Sequence, residues 1–284
     1  MPHKIALITD STCDIPATWR EQYEITVIPM TVIFGDQQYL EGVDISPEEF
    51  YQRLPQEKER ASTSQPAPQV FLEVYRRLAE AGVEQILTIT LSAAMSGTYQ
   101  SARQAAQDVP VPVHVMDSRS NSMGLGWQVI AAARAREQGG GLPEMLAAAE
   151  FVRDRITYYI TLDTIDYLSK GGRISEAVRF LNSFLHIKPL IYVKRDTGTV
   201  GASIPARSRK AALDGLYKEF FRNLPAGKNL HLTVLHNAAL PEAEELAERV
   251  RQEYTPQEMF ISIVSPVLGV HTGPRAVALC GYMD

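Results

Sequence analysis

Long apolar runs are missing from this sequence of 284 residues. The amino-terminal stretch MPHKIALITDST holds one short apolar run that Asp10 stops, too short for a signal-peptide core. Nowhere do about 20 unbroken apolar residues follow one another, so no membrane-spanning helix is expected. Cysteine is scarce as well. Cys13 and Cys280 form no CxxC pair and no zinc spacing, which argues against a metal site or structural disulfide and suits a reducing cytoplasm. There is no cationic excess: 28 Lys and Arg against 33 Asp and Glu give a net charge of −5, which argues against a general nucleic-acid surface. The nucleotide motifs are incomplete. MSGTYQ supplies the glycine and hydroxyl of a phosphate loop without its lysine, GLGWQV at Gly124 matches only part of GxGxxG inside a helical pattern, and no GxSxG surrounds any serine.

What is present is an apolar content of 45%, enough for a substantial core in two domains or one large one. Residues 1–155 alternate strand-like and helix-like stretches. IALITD, QILTITL and VPVHVMD read as strands, and a β-ribbon is expected near residues 24–45. Ser46, Pro47 and Glu49 form a capping-box pattern at a helix start, and a helical period runs from Pro66 to a stop at Gly82. This order predicts a mostly parallel, Rossmann-like α/β/α sheet. Residues 156–284 read as a second α/β domain with a mixed sheet. Its stretches are TYYITL, a turn carrying DYLSKGGRIS, a helix through Leu185, KPLIYVK, TVGASI, a helix from Arg207, LHLTVLH, a helix from Pro241, MFISIVS and AVALCGYM.

Ligands of parallel sheets sit beyond the carboxyl ends of the strands. Three of those ends are rich in hydroxyls: Asp10-Ser11-Thr12, Ser92 to Thr98, and Asp117-Ser118. From Gln85 to Ala102 no side chain is charged. Ser96, Gly97 and Thr98 fall where a helix begins, so free backbone N–H groups, the helix dipole and two hydroxyls can receive an anion there. The plainer account is that Ser96 caps its own helix. TSQPAP at Thr63 reads as a second helix start of the same kind, open to the same two accounts. Asp14 reads as a helix cap. His271, in VLGVHTGPR between an apolar strand and a Gly-Pro turn, taken singly reads as a hydrogen-bonded structural histidine.

Five motifs together resemble the bacterial DegV family, the fatty-acid-binding component of the fatty acid kinase system. They are ITDST at residues 8–12, TSQP at 63–66, SGTYQSA at 96–102, LSKGGRIS at 168–175 and HTGP at 271–274, and they span nearly the whole chain in the family's order. The resemblance implies a cytoplasmic two-domain protein that encloses one long-chain fatty acid in an apolar tunnel between domains, with no other cofactor. By position, Thr63 and Ser96 match the carboxylate-binding hydroxyls, His271 the histidine near the head group and Arg173 an arginine close by. Gly97, Thr98 and Ser92 join this expected ligand-binding set. The family pattern often has a second serine after Ser92 where this chain has Ala93, and a glycine after HxGP where it has Arg275.

The resemblance also implies a protein that is not itself an enzyme and has no nucleotide site of its own. It would present the carboxylate to a separate kinase subunit for acyl phosphate formation and touch the membrane transiently to load lipid. Lys194, Arg195, Arg207, Arg209 and Lys210 cluster in sequence as a basic face, and Arg207 is the expected contact with the kinase. Each buried methylene is worth about 0.8 kcal/mol, so some dozen give on the order of 10 kcal/mol gross. An anion at a helix start gains roughly 0.3–2 kcal/mol. The tail would therefore set affinity and the hydroxyls orientation. The alternative is a small-molecule hydrolase or phosphotransferase with Asp10 and His271 as acid and base.

Overall fold

In a computed structural model the described residues are 4–57, 59–170, 172 and 187–284. The helix expected to run through Leu185, and Arg173 with it, lie outside them.

The first half begins with β1 (Ile5–Asp10), α1 (Ala17–Gln22), β2 (Ile25–Ile28), the hairpin β3 (Thr31–Phe34) and β4 (Gln37–Leu40), and α2 (Pro47–Arg53). It continues through β5 (Ser62–Ser64), α3 (Pro68–Glu80), β6 (Gln85–Thr90), α4 (Thr98–Ala105), β7 (Val113–Asp117), α5 (Ser122–Glu137) and α6 (Leu142–Arg153). Strands pair in the order β2-β1-β6-β7, all parallel. β1 and β6 are buried on both faces, as their near-continuous apolar runs require. α3 and α4 cover one face, where Phe71, Tyr75 and Ala102 pack on Ile8 and Ile86.

The second half contains β8 (Thr157–Thr161), α7 (Asp166–Lys170), β9 (Leu190–Val193), β10 (Val200–Ala202), α8 (Arg209–Asn223), β11 (Leu230–His236), α9 (Leu240–Glu253), β12 (Glu258–Ile263), α10 (Pro266–Thr272) and β13 (Val277–Met283). The sheet order is β10-β9-β8-β13-β11-β12, antiparallel throughout except for the parallel pair β11–β12. α8 and α9 cover one face through Leu216, Phe220, Leu246 and Val250. The fold is thus α/β, with a parallel amino-terminal sheet and a mixed carboxyl-terminal one. No helix among the described residues is long and apolar enough to cross a membrane.

α5 ties the two halves together. Twelve of its sixteen residues are buried, so it lacks the polar stripe of a surface helix. Its Trp127 ring lies 5.8 Å from Trp19, 5.6 Å from Phe260 and 5.8 Å from Tyr282. The partial GxGxxG match falls on this helix for a packing reason. A Cβ on Gly126 would stand 2.5 Å from the Cys13 carbonyl oxygen.

The ribbon differs from expectation. Ile25–Ile28 joins the edge of the parallel sheet, and only the β3–β4 hairpin stands apart. It gains β5 as a third strand, with Val32 opposite Thr63. Thr63 is therefore on a strand and not at a helix start. α3 begins five residues later at Pro68, after Ala67 holds the chain extended.

Candidate functional site

β5 exposes Ser62 and Ser64 and turns Thr63 inward, the alternation a strand imposes. The Thr63 hydroxyl lies 3.0 Å from Nε2 of His271. His271 occupies the last turn of α10, a helix that its sequence did not announce, and that helix is held at both ends. At its start, the Ser265 N–H donates to Asp14 Oδ1 at 2.9 Å and the Val267 N–H to Glu41 Oε1 at 2.8 Å. At its end, Asn237 Nδ2 donates to Thr272 Oγ1 and to the Gly273 carbonyl, both at 2.7 Å.

On the opposite side, the chain leaves β6 in a turn that directs Ser96 N–H to the Ser92 carbonyl at 3.1 Å. Gly97 holds the N-cap position of α4, so Ser96 stands one residue outside the helix. Its oxygen accepts from the Thr98 N–H at 3.3 Å and lies 2.9 Å from the buried Thr98 hydroxyl. A Cβ on Gly97 would come within 2.3 Å of Gln65 Oε1, so the small residue lets TSQP lie against the start of α4.

Thr63, Ser96 and His271 line one cavity of about 80 Å³. The rest of its wall is mostly apolar, with Leu91, Met95, Ile160, Ile191, Val200 and Leu268. The chamber is thus mostly greasy, with Thr63, Gln65, Ser96, Asn121, His271 and Thr272 as its polar lining. At that volume the chamber is below the roughly 300–1,000 Å³ of a ligand-sized pocket, so a long chain must displace wall groups; the thioethers of Met30 and Met95 are the pliable ones. A larger concavity of about 720 Å³ opens beside Tyr159, Tyr192, Arg195 and Arg222. It contains none of Thr63, Ser96 and His271, and the chemistry favours the smaller space.

Other expected residues are used elsewhere. The Ser92 hydroxyl donates to the Gly198 carbonyl at 2.8 Å and is fully buried away from the cavity. Asp10 accepts from the Thr12 N–H at 3.1 Å, the Thr12 hydroxyl at 2.6 Å and the Leu91 N–H at 2.7 Å. Burial pushes its carboxyl up while those bonds pull it down. It is no part of the cavity wall, so Asp10 and His271 form no acid–base pair there. Asp117 accepts from the Ala93 N–H at 3.1 Å. The hydroxyl-rich strand ends thus stitch the sheet end together, and of them only the Ser96 turn, with Met95, reaches the chamber. Arg275 takes a left-handed backbone (φ 62), where the family pattern has glycine, and its side chain reaches Glu242 at 3.3 Å.

Asp14 caps no helix of its own. It has φ 50, and its carboxylate accepts from Ser122 as well as Ser265. Glu41 accepts from Ser11 as well as Val267. Burial lifts Asp14 well above the usual carboxylate range and Glu41 to about 7; the Glu41 charge raises Asp14 further, and the Asp10 charge raises both. Among the described residues no group of three His, Cys, Asp or Glu is placed to hold a metal ion.

Three residues of the site were not singled out from the sequence, although Gln65 sits inside TSQP. Gln65 and Asn121 line the chamber, and Asn237 anchors the helix of His271. The Asn121 Oδ1 atom is buried without a hydrogen-bond partner among the described residues. Only a fold that brings positions 65, 121, 237 and 271 together reveals them.

Known proteins share this arrangement of chain. A DegV domain-containing protein of Streptomyces coelicolor is 38% identical over 275 residues, 96% of each chain. Among solved structures, a DegV family protein from Thermus thermophilus described for its fatty acid binding superposes with a TM-score of 0.91 at 31% identity, over 99% of both chains. DegV of Bacillus subtilis, described as a fatty acid binding protein, gives 0.91 at 27% identity over 100% of both. Residues 4–284 match the family described as "Uncharacterised protein, DegV family", and the chain belongs to the DegV family.

Proposed function

We propose that this protein binds a long-chain fatty acid, with its carboxylate at Thr63, Ser96 and His271 and its tail in the apolar chamber. One observation carries the reading: the Thr63 hydroxyl of β5 meets the α10 histidine in the wall of a mostly apolar cavity that the Ser96 turn before α4 also lines. Hydroxyls and an imidazole orient a carboxylate through hydrogen bonds, and the buried hydrocarbon supplies the affinity. The fatty acid binding described for the two structural relatives supports the same reading.

The finer role is presentation. The protein acts as a non-catalytic, cytoplasmic carrier that loads at a membrane surface and docks on a kinase subunit. A carboxylate oxygen attacks the γ-phosphorus of ATP held by that subunit, the bond to the bridging oxygen breaks, and ADP leaves with the electron pair. Arg207 is the docking contact. Its neighbour Arg209 is committed to Glu242 at 2.8 and 2.9 Å, whereas Arg207 is exposed and makes no ion pair among the described residues. Arg173 remains a head-group contact by resemblance alone.

The test is organic extraction of the purified protein followed by mass spectrometry. A fatty acid near one per chain is expected. Protein that carries none, and takes up none when fatty acid is added, overturns the reading.

A further inference from the structure

Behind the chamber lies a second, smaller void of about 30 Å³. It shares four wall residues with the first, namely Asn121, Ile160, Leu268 and Thr272, so only one layer of side chains divides them. Its far walls are Tyr158, Val264, Ala276 and Ala278, exposed by only 4%, 5%, 1% and 2%. The void therefore ends inside the protein.

Strand alternation explains the space. On β13, Val277 and Leu279 face α8 and α9, while Ala278 and Cys280, with Ala276 just before the strand, face the other way, toward the core that holds α5. Ala278 stands opposite Ile160 in the sheet register. A methyl group where β13 could carry a branched side chain leaves the room beyond Ile160. Two of the polar groups nearby satisfy one another: Asn237 donates to Thr272 Oγ1, and that hydroxyl donates to the Leu268 carbonyl at 2.9 Å. They ask nothing of a hydrocarbon.

We propose that this void is the blind end of the acyl channel, and that Ala278 and Val264 set the longest chain the protein accepts. The inference rests on the fatty-acid reading and adds to it the feature that discriminates among chain lengths. A rotamer change at Leu268 joins the two spaces, and the terminal methyl then stops against Val264 and β13. Close packing makes such a stop sharp, because an extra methylene has no void to enter.

The experiment loads wild type, Ala278→Leu and Val264→Ala from an equimolar series of saturated fatty acids of increasing length. Bound acids are then extracted and identified by mass spectrometry. Ala278→Leu adds about three carbons at the stop, so the preferred chain shortens by about two to three carbons. Val264→Ala removes about two, and the preference lengthens by about one to two. Should Ala278→Leu fail to fold, as its circular dichroism would reveal, the opposite-signed change in Val264→Ala still decides. Variants that load the wild-type distribution, or shift in the same direction, overturn the inference while the fatty-acid reading stands. Wild type that loads nothing overturns both.

Discussion

Thr63 and His271 are 208 residues apart in the chain and 3.0 Å apart in space. The contact joins the three-stranded sheet to α10 and brings together two of the polar groups that line the chamber. Neither residue could be placed from its neighbours in sequence. Thr63 owes its direction to the pleat of β5, and His271 to a helix held by Asp14, Glu41 and Asn237.

Replacing Thr63 by Val or Ser96 by Ala removes one donor to the carboxylate and leaves the hydrocarbon contacts alone. Fatty-acid affinity should fall about ten- to a hundredfold for each, since a hydrogen bond to a charged group is worth about 1.5–3 kcal/mol. Stability should change by no more than about 1 kcal/mol. Titration with a fluorescent fatty acid measures the first and thermal unfolding the second. Wild-type affinity in both variants would remove these residues from the site.

Ser92→Ala should behave the opposite way. It deprives the Gly198 carbonyl of its donor in a buried place, a cost of about 1–3 kcal/mol in stability. Fatty-acid affinity should be unchanged. A loss of affinity without a loss of stability would return Ser92 to the chamber.

Glu41→Gln should make stability less dependent on pH. The ordinary glutamate value is 4.5 and the folded one about 7, so between these the folded state holds a proton that the unfolded chain has released. Stability contributed by this group therefore falls as pH rises through that window, then levels off. Gln mimics the protonated acid and can still accept from the Val267 N–H. Urea unfolding should find the variant more stable than wild type by about 1–3 kcal/mol at pH 8, converging as pH falls to 4.5. A constant difference across that range would show that Glu41 does not titrate there.

Arg207→Glu should impair phosphorylation of the bound acid at least tenfold when a cognate kinase is supplied, and leave fatty-acid loading intact. Both are read from one preparation, by acyl phosphate formation and by lipid extraction. Equal loss of both, or of neither, would count against docking at this surface.

Much of the fold was legible because its signals are local. The buried strands β1 and β6 and the capping box at Ser46 are written in adjacent residues, and all three form as read. The site was legible in part. Ser96 could be found from a charge-free turn, but the helix start assigned to Thr63 was a strand, because pairing with β3 outweighs a short Ser-Thr-Pro signal. Asp10 and Ser92 looked like site residues because burial makes polar groups at strand ends resemble functional ones. Neither lines the chamber; their hydrogen bonds engage the Leu91 N–H and the Gly198 carbonyl, and those partners are 81 and 106 residues away.

The indole of Trp127 has a mechanical consequence. Trp19, Trp127, Phe260 and Tyr282 interlock across the seam between the halves. Swinging the halves apart like a clamshell would wet the buried Trp127 and Tyr282 at roughly 1.5–3 kcal/mol each, and the half-buried Trp19 and Phe260 at less, about 4–9 kcal/mol together. That rivals the whole folding stability of a typical domain. The seam therefore resists opening, and under the proposed function a fatty acid would enter by small rearrangements around the chamber.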